Sequence, residues 1–214
     1  MNYKRQLAQE LLAIQAVSLR PRQPYTWASG LKSPIYCDNR ITLGYPEVRS
    51  LITEGLMDLI KHHFPDAEAI AGTATAGIAQ AALVAYGLNL PMAYVRSKAK
   101  DHGKQNQIEG YLAPGAKVVV VEDLISTGNS CLDVCQALRS YGVDVLGVVA
   151  NFTYQFKVAQ EQFLSARISY VTITDYSTLI DCAADQQVIT ESERKLLKEW
   201  SDDPQAWGAK HSSI

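Results

Sequence analysis

Four consecutive valines, Val118–Val121, do most to limit how this chain can fold. A strand that is apolar on both faces must be covered on both faces, as happens in parallel sheets sandwiched between helices. The neighbouring sequence agrees. Val48, Leu51, Ile52, Leu56, Leu59 and Ile60 recur at helical spacing after Pro46, which predicts a helix over 46–63. Further helices are predicted over 76–86, closed by Gly87, over 128–141, closed by Gly142, and over 155–165. Short apolar runs at 69–71, 92–95, 118–121, 143–150 and 168–173 alternate with them as strands. Helices at 175–185 and 190–200 follow, the second opened by Thr190 and Glu193 as a capping box. The expected fold is therefore α/β, a parallel sheet flanked by helices on both faces, in a single domain over 1–214.

Within that domain the core spans about 45–185, and a C-terminal helix and tail occupy 186–214. The N-terminal 1–44 opens with a helix over 3–17, carried by Leu7, Leu11, Leu12 and Ile14. Pro21, Pro24, Gly30 and Pro34 then restrict 18–44 to short strands and turns outside the alternation. The tail 203–214 has no pattern and is expected to be loose at its end.

Charge and composition exclude several functions. A net charge of -2 gives no general affinity for nucleic acid. No apolar run reaches the ~18 residues a membrane span needs, and MNYKRQLAQELL has the acid and amphipathicity of a helix, not a signal peptide. The chain reads as cytoplasmic. Cys37, Cys131, Cys135 and Cys182 form no C-x-x-C pair, and a reducing compartment without disulfides is expected.

In α/β sheets ligands bind beyond the carboxyl ends of the strands, so the loops after 71, 95, 121 and 150 are the ones to read. After Val121 come Glu122-Asp123, Leu124-Ile125 and Ser126-Thr127-Gly128-Asn129-Ser130, then a helix. Hydroxyls and a glycine at a helix N-terminus leave backbone N–H groups for a phosphate. The two carboxylates would repel that phosphate and instead suit the paired hydroxyls of a ribose. The competing reading is an ordinary helix start capped by Ser126 or Thr127. Gly72-Thr73-Ala74-Thr75-Ala76-Gly77 is equally compatible with an anion site and with a connector capped at Thr75. Residues 96–110 hold Arg96, Lys98, Lys100, His102 and Lys104 within nine positions, either as a solvated loop or as one that closes over an anion. Asn151-Phe152-Thr153-Tyr154 offers no chemistry beyond a place at the rim. Tyr36 is either a core aromatic or a platform for a flat ring, and Lys32 or Arg40 could meet a carboxylate.

Val119 to Ser130 resembles the phosphoribosyl pyrophosphate signature of type I phosphoribosyltransferases. Arg96, Lys100, His102 and Gly103 resemble the R-x-x-x-K-x-H-G loop of the orotate phosphoribosyltransferases, and 25–40, with Ser29-Gly30 and Lys32-Ser33-Pro34, resembles their hood over orotate. Ala28 and Ala76 stand where some members carry lysine, and Ser97 replaces a second lysine. The likeness runs from about 20 to 185.

It implies transfer of ribose 5-phosphate from phosphoribosyl pyrophosphate to orotate, with Lys100 and Asp123 as catalytic residues. It implies that Thr73, Arg96, Lys100, His102 and the run Glu122, Asp123, Leu124, Ile125, Ser126, Thr127, Gly128, Asn129 and Ser130 bind phosphoribosyl pyrophosphate. Ser126, Lys32 and Tyr36 would hold orotate. Mg²⁺ would be carried by the substrate, with no direct protein ligand. A homodimer sharing loop 96–110 across subunits is implied, with no nucleic-acid or membrane partner.

Overall fold

The computed structural model describes residues 2–27, 29–97 and 107–211. Helix α1 (Tyr3–Ala13) is capped by the Asn2 side chain and buries Leu7, Ala8 and Leu11. It stops short of residue 17 because Gln15 turns to a left-handed φ of 57° and Val17–Leu19 leaves as strand β1. After β2 (Tyr25–Thr26) and β3 (Lys32–Ser33), which pair with each other, β4 (Ile35–Cys37) returns antiparallel to β1. A 3-10 turn (Asn39–Gly44) leads into α2 (Pro46–His63).

The alternation then runs β5 (Ala69–Thr73), α3 (Ala76–Leu88), β6 (Met92–Val95), β7 (Ile108–Gly110), β8 (Lys117–Ile125), α4 (Asn129–Tyr141), β9 (Asp144–Thr153), α5 (Lys157–Ala166), β10 (Tyr170–Asp175) and α6 (Tyr176–Asp185). Helices α7 (Glu191–Asp202) and α8 (Pro204–Lys210) complete it. The central sheet has the order β10-β9-β8-β5-β6-β7 and is parallel except for β7, which pairs antiparallel with β6. That edge strand lies inside what reads in sequence as a purely polar loop, since only Ile108 of its three residues is apolar.

The valines divide as their alternation requires. Val118 and Val120 enter the layer under α4 and α5, while Val119 and Val121 enter the layer shared with α1, α2, α3 and α6. The second layer continues into a group of rings under the hood: Trp27, Phe152, Tyr154, Phe156, Tyr176 and Trp200. Residues 151–154 therefore do not begin a loop, as the sequence suggested. Strand β9 continues to Thr153, and Tyr154 is buried among those rings.

Other boundaries move for local reasons. Helix α3 runs through Gly87, and Asn89, left-handed at φ 53°, takes the capping role expected of that glycine. The patternless tail contains α8, capped by Asp203 and anchored by buried Trp207. A seven-residue helix with one large apolar side chain shows no periodicity, which is why it was illegible.

The switch in strand order sets the site. From β5 the chain moves outward to β6, whereas β8 returns to the other side of β5 and proceeds to β9. Loops leaving β5 and β8 therefore diverge and open a crevice at the carboxyl ends of this strand pair.

Candidate active site

Strand β8 does not end at Val121. It stays paired with β9 through Glu122↔Ala150, Leu124↔Phe152 and Ile125↔Thr153, while its pairing with β5 ends at Gly72↔Val121. Beyond Val121 the β5-side edge is open, and there Glu122 and Asp123 meet the crevice. A cavity of about 360 Å³ is lined there by Glu122, Asp123, Leu124, Ser130, Ala74, Thr75 and Ala76. The hood completes it with Cys37, Asp38 and Arg40.

Two helices direct their N-termini at this crevice, and neither is capped by a side chain. Helix α4 has Gly128 at its N-cap, left-handed at φ 88°, and α3 has Thr75 at its N-cap without a bond from the hydroxyl. The first backbone bond of α4 is Leu132 N–H to Gly128 C=O at 2.9 Å. The N–H groups of Asn129, Ser130 and Cys131 have no acceptor among the described residues. Uncapped helix starts with free N–H groups and positive dipole ends bind anions. The capped alternatives at Ser126, Thr127 and Thr75 do not occur. Gly128 also fits closely, since a Cβ there would lie 2.8 Å from Phe163 Cε2.

The acidic pair is held in an unequal state. Glu122 is only 7% exposed. Burial, followed by its hydrogen bond to Asp123, pushes its carboxyl up to about 8. Burial raises Asp123 too, but its bond to Glu122 and the charge of Arg40 act the other way. Burial thus holds both carboxyls of the pair above their ordinary range, with the opposing influences stronger on Asp123. Glu122 Oε1 accepts the Asp123 N–H at 2.9 Å, and the Asp123 carbonyl accepts from Asn39 Nδ2 at 2.7 Å. Asn39, buried at the start of the 3-10 turn, thus ties the hood to the acidic pair. Sequence reading gave it no role of its own, although it lies within the hood run 25–40. Arg40 lies against Asp38 through two bonds of 2.7 Å, which keeps the Asp38 carboxyl below its usual range.

A second cavity, of about 580 Å³, opens on the other side of the loop after β8. Ser126 and Thr127 line it with Trp27, Ser29, Gly30, Leu31 and Lys32 of the hood, Phe156, and three residues of α8. Lys32 and Ser126, two of the residues expected to hold orotate, thus meet here. Lys32 Nζ donates to Thr26 Oγ1 at 2.9 Å. The third, Tyr36, lines neither cavity; it is 47% exposed on β4, with its ring 5.7 Å from that of Tyr25.

The remaining expected residues are placed as follows. The Thr73 side chain is buried and donates to the Val121 carbonyl at 3.2 Å, so it faces β8. Ile125 is buried in the α4–α5 layer, and its carbonyl accepts from Tyr154 N–H at 3.0 Å. Asn129 is exposed at the start of α4. Arg96, at the end of β6, is 3.7 Å from Glu109 and lines neither cavity. Lys100 and His102, and the Ala28 position of the hood, lie outside the described residues. Among the described residues no cluster of three His, Cys, Asp or Glu is arranged to hold a metal ion.

Comparison with known proteins follows the same lines. The phosphoribosyl transferase domain family matches residues 44–175, more than half of the chain. An orotate phosphoribosyltransferase of Bacillus pumilus is 60% identical over 201 residues, covering 94% of this chain and 95% of that protein. One from Streptococcus agalactiae serotype Ia is 56% identical over 207 residues, covering 97% and 99%. The crystal structure of orotate phosphoribosyltransferase from Aeropyrum pernix superposes with a TM-score of 0.74 at 30% identity, over 82% of this chain and 96% of that one.

Proposed function

The chain belongs to the orotate phosphoribosyltransferases of the phosphoribosyl transferase family, and from that membership we propose how its two cavities divide the reaction. The reaction joins orotate to 5-phosphoribosyl 1-pyrophosphate, giving orotidine 5'-monophosphate and pyrophosphate in pyrimidine nucleotide synthesis. The observation that carries this division is the acidic pair on the open edge of β8, between two uncapped helix starts.

Ribose hydroxyls lie on Glu122 and Asp123, with Asp123 accepting and protonated Glu122 able to donate. The 5-phosphate takes the free N–H groups at the start of α4 and the hydroxyls of Ser126, Thr127 and Ser130. Pyrophosphate lies toward Ala74, Thr75 and Ala76 at the start of α3. As it departs, positive charge develops at the sugar carbon and negative charge on the leaving group, so catalysis consists of positioning and electrostatic stabilisation. The ionised Asp123 serves the first charge, and the helix starts with Arg96, Lys100 and His102 serve the second. Orotate occupies the 580 Å³ cavity, where Lys32 is the cation available to its carboxylate and Ser126 a hydroxyl donor.

One ionised carboxylate beside anion-binding backbone fits Mg²⁺ carried on substrate oxygens, since Mg²⁺ keeps most of its waters in phosphate sites. Bound there, the ion neutralises charge on the pyrophosphate. The chain acts as a homodimer that shares loop 96–110 between sites, and four free cysteines suit the reducing cytoplasm. No helix among the described residues is long and apolar enough to cross a membrane.

The test is orotate consumption with phosphoribosyl pyrophosphate and Mg²⁺, followed by ultraviolet absorbance. Preferred turnover of adenine, guanine or uracil would sink the assignment. Lys100→Ala should lower turnover by about two orders of magnitude or more in a folded protein. Mixing Lys100→Ala with Asp123→Ala subunits should restore part of the activity, because one site of the mixed dimer has both residues. No recovery on mixing counts against the shared loop.

A further inference from the structure

We propose that α8 forms the third wall of the orotate pocket and that Gln205 is a specificity-determining residue there, its carboxamide meeting the pyrimidine edge that Lys32 does not reach. The inference rests on the assignment of that cavity to orotate.

Three observations carry it. First, Gln205, Gly208 and Ala209 line the same cavity as Lys32, Ser126 and Thr127, although Gln205 lies 78 positions from Thr127 and 173 from Lys32 in sequence. Second, the helix is fixed in place. Asp203 caps it through the Ala206 N–H at 2.9 Å, and Trp207 is buried beneath it. A Cβ at Gly208 would lie 3.5 Å from Lys32 Cβ, so α8 and the hairpin that carries Lys32 pack in van der Waals contact. Just ahead of it, Trp200 Nε1 donates to the Lys32 carbonyl at 3.1 Å, holding the end of α7 to the same hairpin.

Third, the polar inventory of the wall is short. Ser29, Lys32, Ser126, Thr127 and Gln205 supply it, and Ser126 and Thr127 also serve the phosphate. Orotate presents one carboxylate and two keto oxygens, the latter flanking a ring N–H. Lys32 answers the carboxylate. A keto group beside an N–H calls for an uncharged group with a donor and an acceptor side by side, which is what a carboxamide offers. Gln205 makes no hydrogen bond among the described residues and stands exposed at the cavity mouth, available to a ligand.

Steady-state kinetics of full-length variants test this. Gln205→Ala should raise KM for orotate about tenfold, the usual scale of one lost hydrogen bond to a substrate. KM for phosphoribosyl pyrophosphate should stay within about twofold and Tm should not move. Gln205→Glu gives up the donors and sets a negative charge toward an anionic substrate, so its KM for orotate should rise further. Ala209→Trp, which fills the cavity from the same helix, should also raise KM for orotate selectively. Unchanged orotate KM in both Gln205 variants overturns the proposal, as does a parallel rise of both KM values, which marks a merely structural role. A wild-type protein idle on orotate overturns the assigned function and this inference with it, whereas an active wild type with unmoved variants overturns the inference alone.

Discussion

The two cavities on either side of the loop after β8 are built on opposite plans. The smaller one stands on the sheet: its acids extend a central strand, and its anion-binding groups are the starts of two helices packed on that sheet. The larger one is assembled at the edge of the domain from a two-stranded hairpin, one turn of loop and a seven-residue helix near the C-terminus. The difference is one of rigidity and of information. Groups on central strands are positioned by backbone ladders and cost nothing to hold in place at the moment of reaction, which suits the charge-stabilising half of a transfer. Groups at the edge are positioned by side-chain packing between distant segments, which suits recognition of the part of the substrate that differs between related enzymes.

The largest expected effect comes from the rigid half. Asp123→Asn keeps the shape of the side chain and removes the charge facing the ribose, so kcat/KM should fall about 10³-fold, or about 4 kcal/mol. Since the ladder of β8 is untouched, Tm should hold. A loss of less than tenfold would mean that the ionised carboxylate is not a part of the chemistry.

Glu122 gives the next effect, on stability. Its carboxyl is raised by burial from an ordinary value near 4.5 to about 8, so the folded chain binds more protons than the unfolded chain between those limits. Stability must then fall as pH rises through that window. Glu122→Gln, which keeps a neutral hydrogen-bonding group, should remove this part of the slope. Unfolding free energies from denaturant titrations at pH 5 and pH 8.5 should differ less in the variant than in the wild type, by roughly 2 kcal/mol once the coupling to Asp123 is discounted. Equal slopes would place the proton elsewhere.

The same contrast explains what was legible in the sequence. The valine run, its acidic pair and the hydroxyl-glycine turn follow one another along the chain, so the sheet and the smaller cavity could be read locally. Even there, two details depended on neighbours. That β8 continues to Ile125 is decided by its pairing with β9, and that the Thr73 hydroxyl is held against β8, on the Val121 carbonyl and beside Glu122, is decided by the pairing of β5 with β8. The larger cavity was legible only as the hood run together with Ser126, the residues expected to hold orotate, and not as an enclosure closed by α8. Asn39 reaches the Asp123 carbonyl across 84 positions and Trp200 reaches the Lys32 carbonyl across 168. No periodicity encodes contacts of that separation, and α8 is too short to have one.

A third prediction probes how tightly the rigid half is packed. At Gly77 a Cβ would lie 2.5 Å from both Thr73 Oγ1 and the Val121 carbonyl oxygen, the two ends of one hydrogen bond. Backbone cannot yield as a flexible side chain does. Gly77→Ala should therefore push the start of α3 away from β5 and β8 and cost about 1–3 kcal/mol, the usual range for overpacking. Because this displacement occurs at the pyrophosphate end of the crevice, KM for phosphoribosyl pyrophosphate should rise more than KM for orotate. Retained stability with unchanged kinetics would show that the crevice is less tightly specified than its geometry implies.

The smallest effect should come from the assembled half and fall on the other substrate. Trp200 is wholly buried among Trp27, Tyr154, Phe156 and Tyr176, and its Nε1–H is the hydrogen bond that fixes the Lys32 carbonyl. Trp200→Phe keeps most of the apolar surface and deletes that donor, so the loss of stability should be about 1 kcal/mol plus a small packing term. Its kinetic signature is more telling than its size. Freed from Trp200, the hairpin carrying Lys32 can shift relative to α8 while β8 and the acidic pair stay in place. KM for orotate should rise about fivefold, while KM for phosphoribosyl pyrophosphate and the Asp123-dependent rate should stay as they are. If both substrates weaken together, the hood and the crevice move as one body through the Asn39 tether, and the division of labour drawn between the two cavities fails.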